Sequence, residues 1–351
     1  MFQSKAQMQD RRFTALLLIL MLLAATLLIS GCEQKPSPSS GEEISWPPLE
    51  TRQVVAEQRL YVTAMHEDKV SVIDLTTAKV VSEQRVGSKP YGLAIDRTHN
   101  QLLVVCALAH ELWFLDLDTL EILATLPVGR VPAMVTVDES SGKAYVSNTR
   151  GDGITVVDTQ THQAVGHLVT GKAPYNIELL QNGHLAVLNH DDALLVVINP
   201  ADGEIVQRFA AVPKSAGMAL HPSRNLLFSG GHGSEDNADE IYIHDLNQGT
   251  NTGTIPTGEM AAYMSVADPY LHVVLHDKEE LISFDLETYQ EVIRMPTGKY
   301  PFAVVPVGSS TLVAVSNMDS ENVQVFDIEL RAVRHTIEVQ GGPVGLAYHT
   351  P

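Results

Sequence analysis

A run of apolar residues closing on Asp or Asn returns seven times along this chain: VSVID at Asp74, LWFLD at Asp116, ITVVD at Asp158, LVVIN at Asn199, IYIHD at Asp245, LISFD at Asp285 and VQVFD at Asp327. The steps between landmarks are 42, 42, 41, 46, 40 and 42 residues. A period of this length means that each unit buries its apolar faces against its neighbours rather than alone. A second signature, Gly-x-x-Pro, follows most landmarks: Gly87 with Pro90, Gly129 with Pro132, Gly171 with Pro174 and Gly298 with Pro301, with a shortened form at Gly341 and Pro343.

Each unit holds four short apolar runs split by turn residues; in the third they are AMVTVD, KAYVSN, GITVVD and AVGHLV. Runs of this length and alternation are strands, and four strands every ~40–45 residues describe a propeller blade. With strands lettered A to D from the axis outward, the repeats open on a B strand, RLYVT, and finish on GPVGLAY, which matches the A strand KPYGLAI. The expected fold is all-β: a seven-bladed β-propeller over residues 54–351, its ring closed by the C-terminal strand completing the N-terminal blade. Closure of that kind removes an open edge. Each landmark Asp precedes a turn and can accept backbone N–H groups two residues on, a structural role.

The stretches LYVTAMHEDKVSVIDLTTAKVV, AYVSNTRGDGITVVDTQTHQAV and VGSKPYGLAID resemble the YVTN-type β-propeller repeat, whose pattern is a Tyr-Val-x-Asn strand, a Val-x-Val-Ile-Asp strand and a Gly-x-x-Pro-x-Gly loop. The resemblance spans about residues 59–349. It implies the propeller fold and a place among envelope, surface-layer and accessory proteins, most of which have no assigned chemistry.

The N-terminus points to export. Lys5, Arg11 and Arg12 precede an uncharged apolar run from Phe13 to Ile29, followed by Ile29-Ser30-Gly31-Cys32. A basic start, a short apolar core and small residues before a cut site describe a secretory signal over residues 1–31. ISGC resembles the lipobox of bacterial lipoproteins, which implies cleavage before Cys32, lipid on Cys32 and anchoring to a membrane of the bacterial cell envelope. Glu33 follows, where inner-membrane lipoproteins often carry Asp; this favours the outer membrane, facing the periplasm. Residues 32–53, rich in Pro, Ser and Glu, cannot bury enough apolar surface to fold and read as a tether.

Residues 1–31 hold Lys5, Arg11, Arg12 and Asp10, so the remainder has 20 basic against 41 acidic residues, a formal charge of −21. Such a surface repels nucleic acid and attracts cations. The only cysteines are Cys32 and Cys106; a lipid-bearing Cys32 leaves no disulfide, and Cys106 reads as a small buried hydrophobe. Neither a G-x-S-x-G elbow, a P-loop nor H-E-x-x-H occurs, and nothing nominates a nucleophile.

The strand order puts the B–C turns and D–A loops on one face. The B–C turns contribute His66, His110, His190, His232 and His276, with Met318 in the matching place of the last unit and acids close by. Imidazoles converging from several blades could hold zinc or copper, with carboxylates orienting the rings; the same residues also suit exposed turns. The insertion GGHGSEDNADE (230–240) reads either as a flap over this face or as an acidic loop. The D–A loops bring Lys89, Arg130, Lys172, Lys214 and Lys299, a basic collar fit for an anionic ligand or acidic partner. Tyr91, Tyr175, Tyr263 and Phe302 open the A strands beside it, lining the channel mouth or packing between blades. His99, His184 and His221, in A–B turns, and His162, in a C–D turn, read as solvated. The expected function is a non-enzymatic, monomeric binding or scaffold module for a protein or envelope polymer. Two alternatives stay open: a zinc- or copper-binding or delivery protein using the rim histidines, and an enzyme with a rim-bound metal.

Overall fold

The computed structural model describes residues 58–151, 153–231 and 239–350. The signal and tether segments with Cys32, and His232 with most of the acidic insertion, lie outside the described residues. Seven four-stranded antiparallel sheets form the molecule. Blade I joins the two ends of the described chain: Pro343–His349 is its strand A, and Arg59–Ala64, Lys69–Asp74 and Lys79–Arg85 are its strands B, C and D. Blades II to VII follow in chain order, with inner strands Pro90–Asp96, Pro132–Asp138, Pro174–Leu179, Ser215–His221, Ala261–Ala267 and Pro301–Pro306. Each inner strand packs on the next, and the strand of blade I packs on that of blade II, so the ring is closed. The chain is a seven-bladed β-propeller.

The apolar pattern matches radial position. Strands B are buried throughout, as in Arg59–Ala64 and Gln101–Cys106, because neighbouring blades cover both faces. Strands D are largely exposed, as in Gln163–Val169, and Lys79–Arg85 switches between exposed and half-buried at every residue. The core lies between blades: Leu60, Val62 and Ile73 of blade I meet Val323, Val325 and Ile337 of blade VII. Each such side chain contributes about 1.5–3 kcal/mol on burial, so the ring coheres through repeated lateral interfaces.

The landmark residues act as turn locks. Asp74 Oδ1 accepts the Thr76 N–H at 2.8 Å, Asp158 Oδ1 that of Thr161 at 2.7 Å, and Asn199 Oδ1 that of Ala201 at 3.0 Å. The C–D hairpins then pass through a left-handed residue, such as Ala78 (φ 53°) or His162 (φ 55°), into a bulged register. Gly-x-x-Pro has an equally local cause. A Cβ on Gly129 would stand 2.4 Å from Asn148 Cγ, and one on Gly298 2.8 Å from Asn317 Cβ. The glycine therefore admits the buried Asn that closes strand B. In blade II Cys106, fully buried, takes that place beside Gly87.

Candidate functional site: the axial mouth

Strand B hydroxyls position the inner strands. Thr63 Oγ1 accepts the Gly345 N–H of its own blade at 2.8 Å and donates to the Tyr91 carbonyl of the next at 2.7 Å. Ser147 accepts from Met134 N–H at 3.0 Å and donates to the Tyr175 carbonyl at 2.7 Å. Ser316 accepts from Ala303 N–H at 2.9 Å and donates to the Val344 carbonyl at 2.7 Å. All three inner strands are bulged here, and the hydroxyl satisfies an amide that the ladder leaves out.

The result is a convergence at the axis. The hydroxyls of Tyr91 (blade II), Tyr175 (blade IV) and Tyr263 (blade VI) are hydrogen-bonded to one another: 2.8 Å for Tyr91 with Tyr263, 2.6 Å for Tyr175 with Tyr263, and direct contact for Tyr91 with Tyr175. Burial is the chief cause that pushes the Tyr91, Tyr175 and Tyr263 phenols up, to well above the usual range for Tyr91 and Tyr263. Phe302 stacks edge-on to Tyr91 at 5.3 Å and lies 4.6 Å from the Tyr263 ring. Met65, Met134, Met318 and Tyr300 pack into the same cluster. These aromatic residues line the mouth and pack between blades at once.

The B–C histidines divide into two pairs. His190 and His276 are the first residues after their B strands, which end at Asn189 and Leu275. His276 is 5% exposed, its ring 4.5 Å from that of Tyr300 and 6.0 Å from that of Tyr263. The His190 ring lies 6.0 Å from Tyr175, and its Nδ1 donates to the Ser215 carbonyl at 3.1 Å; burial pulls its pKa down. His66 and His110 stand further along their turns and are exposed. The place nearest the axis belongs instead to Met65, packed in the axial cluster, in blade I. The ring of His66 lies against Gly342, and His110 Nδ1 accepts the Val131 N–H at 3.0 Å. Among the described residues no three His, Cys, Asp or Glu side chains form a group that could hold a metal ion.

The nearby carboxylates brace backbone rather than imidazole. Asp68 Oδ1 accepts the Lys89 N–H at 2.8 Å, and Asp192 Oδ2 the Lys172 N–H at 2.7 Å; Ser320 does the same for Lys299 at 2.7 Å. These bonds tie B–C turns to D–A loops and put both on one face. They leave the side chains of Arg130, Lys172, Lys214 and Lys299 exposed, while Lys89 is half-buried. None of the five takes part in an ion pair among the described residues.

Other expectations need correction. Gly230 and Gly231 are not loop glycines; they end strand B of blade V, and a Cβ on Gly231 would stand 2.5 Å from Ser215 Cα. His99, His162 and His221 are not solvated turn residues. His99 Nδ1 meets Asp96 Oδ2 at 2.8 Å, His162 Nε2 meets Gln101 Oε1 at 2.9 Å, and His221 is 1% exposed. Sequence reasoning also passed over Tyr300, whose half-buried ring covers His276, and Glu178 on the inner strand of blade IV, whose carboxyl burial raises to about 7.

Comparison with known proteins adds the fold. Neither a family model nor a curated protein matches this chain. Among solved structures, a protein of unknown function from Desulfotomaculum acetoxidans aligns with a TM-score of 0.72 at 14% identity, covering 84% of this chain and 99% of its own. Kuenenia stuttgartiensis hydrazine synthase aligns with a TM-score of 0.69 at 18% identity, covering 77% of this chain and 92% of that one. The dihydro-heme d1 dehydrogenase NirN, in complex with DHE, aligns with a TM-score of 0.60 at 15% identity, covering 86% and 77%. At these identities the likeness is one of architecture and carries no activity across.

Proposed function

We propose that this chain is a non-catalytic binding module of the bacterial envelope, built from YVTN-type repeats, anchored through lipid on Cys32 and presenting its B–C/D–A face to a partner. The observation that carries the reading is the character of that face. Its centre is filled by aromatic rings and thioethers. Around the centre stand Arg130, Lys172, Lys214 and Lys299, exposed and outside any ion pair among the described residues. On a chain of formal charge −19, a basic collar around an apolar centre suits an acidic protein segment or an anionic envelope polymer.

Two experiments test this. A photo-crosslinking residue at Lys299 should give discrete crosslinked products in cells, and one at Asn182, on the opposite face, should not. Equal products from both positions, or none from either, would reject the face. Separately, Cys32→Ser should release the chain from the membrane fraction and abolish labelling by a fatty-acid analogue.

A further inference from the structure

The face opposite the basic collar carries a cleft of about 490 Å³ between blades IV and V, within the roughly 300–1,000 Å³ that small-molecule sites occupy. The A–B turn of blade IV forms one side; the A–B and C–D turns of blade V form the other. Its polar lining is five carboxamides, Gln181, Asn182, Gln207, Asn225 and Asn247, and one imidazole, His184. Leu180, Val197 and Leu246 give it an apolar side. Among the described residues no Asp, Glu, Lys or Arg lines it, although the chain is strongly acidic. The carboxamides are held in place and still keep open valences. Gln207 Nε2 donates to the Leu246 carbonyl at 2.8 Å, joining the two blades and leaving Oε1 as an acceptor. Asn225 Nδ2 donates to Asn247 Oδ1 at 3.0 Å, leaving Asn225 Oδ1 to accept and Asn247 Nδ2 to donate. Asn182 Oδ1 accepts the His184 N–H at 3.1 Å, and its Nδ2 donates to His184 Nδ1 at 3.3 Å. The imidazole proton therefore sits on Nε2, a further donor. Gln181 makes no side-chain hydrogen bond among the described residues.

We propose that this cleft binds a small neutral sugar carrying an acetamido group, one or two rings in size. The lining selects this class. An anion finds no counter-charge here and is repelled by a chain of formal charge −19. A free dipeptide carries an ammonium and a carboxylate, and neither meets an opposite charge. A nucleoside needs a ring to stack on, and the lining holds no Phe, Tyr or Trp. A sugar hydroxyl both donates and accepts, which matches a wall offering neutral donors and neutral acceptors together. The acetamido group is itself a carboxamide. Its N–H suits Gln207 Oε1 or Asn225 Oδ1, its carbonyl suits Asn247 Nδ2 or Gln181, and its methyl takes the apolar side. The site lies away from the collar and holds whether or not a partner binds there.

The test is a calorimetric titration of the full-length chain, purified in a detergent without a sugar headgroup, with N,N′-diacetylchitobiose. The expected result is one sugar per chain, with an affinity unchanged by added salt because no ion pair forms. Cellobiose, which lacks the acetamido groups, should bind about tenfold more weakly, the effect of one or two hydrogen bonds. The double variant Gln181→Ala/Asn247→Ala changes two exposed side chains and should weaken binding by a similar factor; Lys299→Ala, on the collar, should not. No saturable binding to a folded wild-type chain, by calorimetry and by saturation-transfer NMR, would overturn the site. So would equal affinity for cellobiose, or binding that survives unchanged in the double variant.

Discussion

The Gly345 N–H donates to Thr63 Oγ1 at 2.8 Å, joining residues 282 positions apart in the chain. Thr63 is fully buried and passes its own proton to the Tyr91 carbonyl at 2.7 Å. One hydroxyl therefore closes blade I and fixes it to blade II. Thr63→Val keeps the shape but leaves an amide and a carbonyl without this partner. It should destabilise by about 2–4 kcal/mol, since each orphaned buried group costs about 1–3 kcal/mol. Thr63→Ser should lose less than half of that. Urea unfolding of the two variants beside the wild type decides the matter.

Ending the chain at Gly342 should be far more damaging. It removes the strand Pro343–His349, which pairs with Arg59–Ala64 and receives the Ser316 hydroxyl bond at Val344. Leu60 and Tyr61, now fully buried, would be uncovered beside a free strand edge. The expected outcome is aggregation or higher oligomers by size-exclusion chromatography; a monodisperse monomer would contradict the closure.

Two core histidines predict acid sensitivity. His244 donates from Nδ1 to Asn251 Oδ1 and accepts from Ser229 at Nε2, both at 2.7 Å. His272 accepts from Ser283 at 2.8 Å and donates to the Ser310 carbonyl at 3.2 Å. Burial pulls each down to about 4. The unfolded chain, with histidine near 6.5, therefore binds more protons between about pH 6.5 and 4. Stability should be full above pH 7 and fall as pH drops through this window, by about 2 kcal/mol per histidine at pH 5. His272→Gln should flatten the fall by one histidine's share in unfolding curves at pH 7.5 and 5.0.

A similar turn lock is testable at Asp138, which ends the inner strand of blade III. It accepts the Ser140 N–H at 3.0 Å and the Ser140 and Ser141 hydroxyls at 2.6 Å each. Those bonds hold its carboxyl below the usual range despite the opposing effect of desolvation. Asp138→Ala should cost about 1–2 kcal/mol once solvent screening is allowed for, and Asp138→Asn less, because one acceptor oxygen remains. Thermal melts at neutral pH give the comparison.

The blades and their closure were readable because the landmark spacing is local, and a period needs no knowledge of space. Radial distance was harder. His66, His110, His190 and His276 look alike in a turn, yet His276 is buried, His190 half-buried and the other two exposed. In blade I the signal was present: the first residue after strand B, packed in the axial cluster, is Met65 rather than His66. Tyr91 and Tyr175 share one register position, but Tyr263 comes one residue later than its alignment predicts and still reaches the axis. That meeting depends on backbone bulges which no spacing rule reports.

The strand Arg59–Ala64 lies inside its sheet, held by Pro343–His349 on one side and Lys69–Asp74 on the other. It is also where the chain before Gln58 enters the ring. Tension transmitted along this strand therefore loads two hydrogen-bond ladders together, in shear. A terminal strand at the blade's outer edge would instead unzip one bond at a time. A pull applied at Arg59 would thus have to break both ladders at once before the blade gave way.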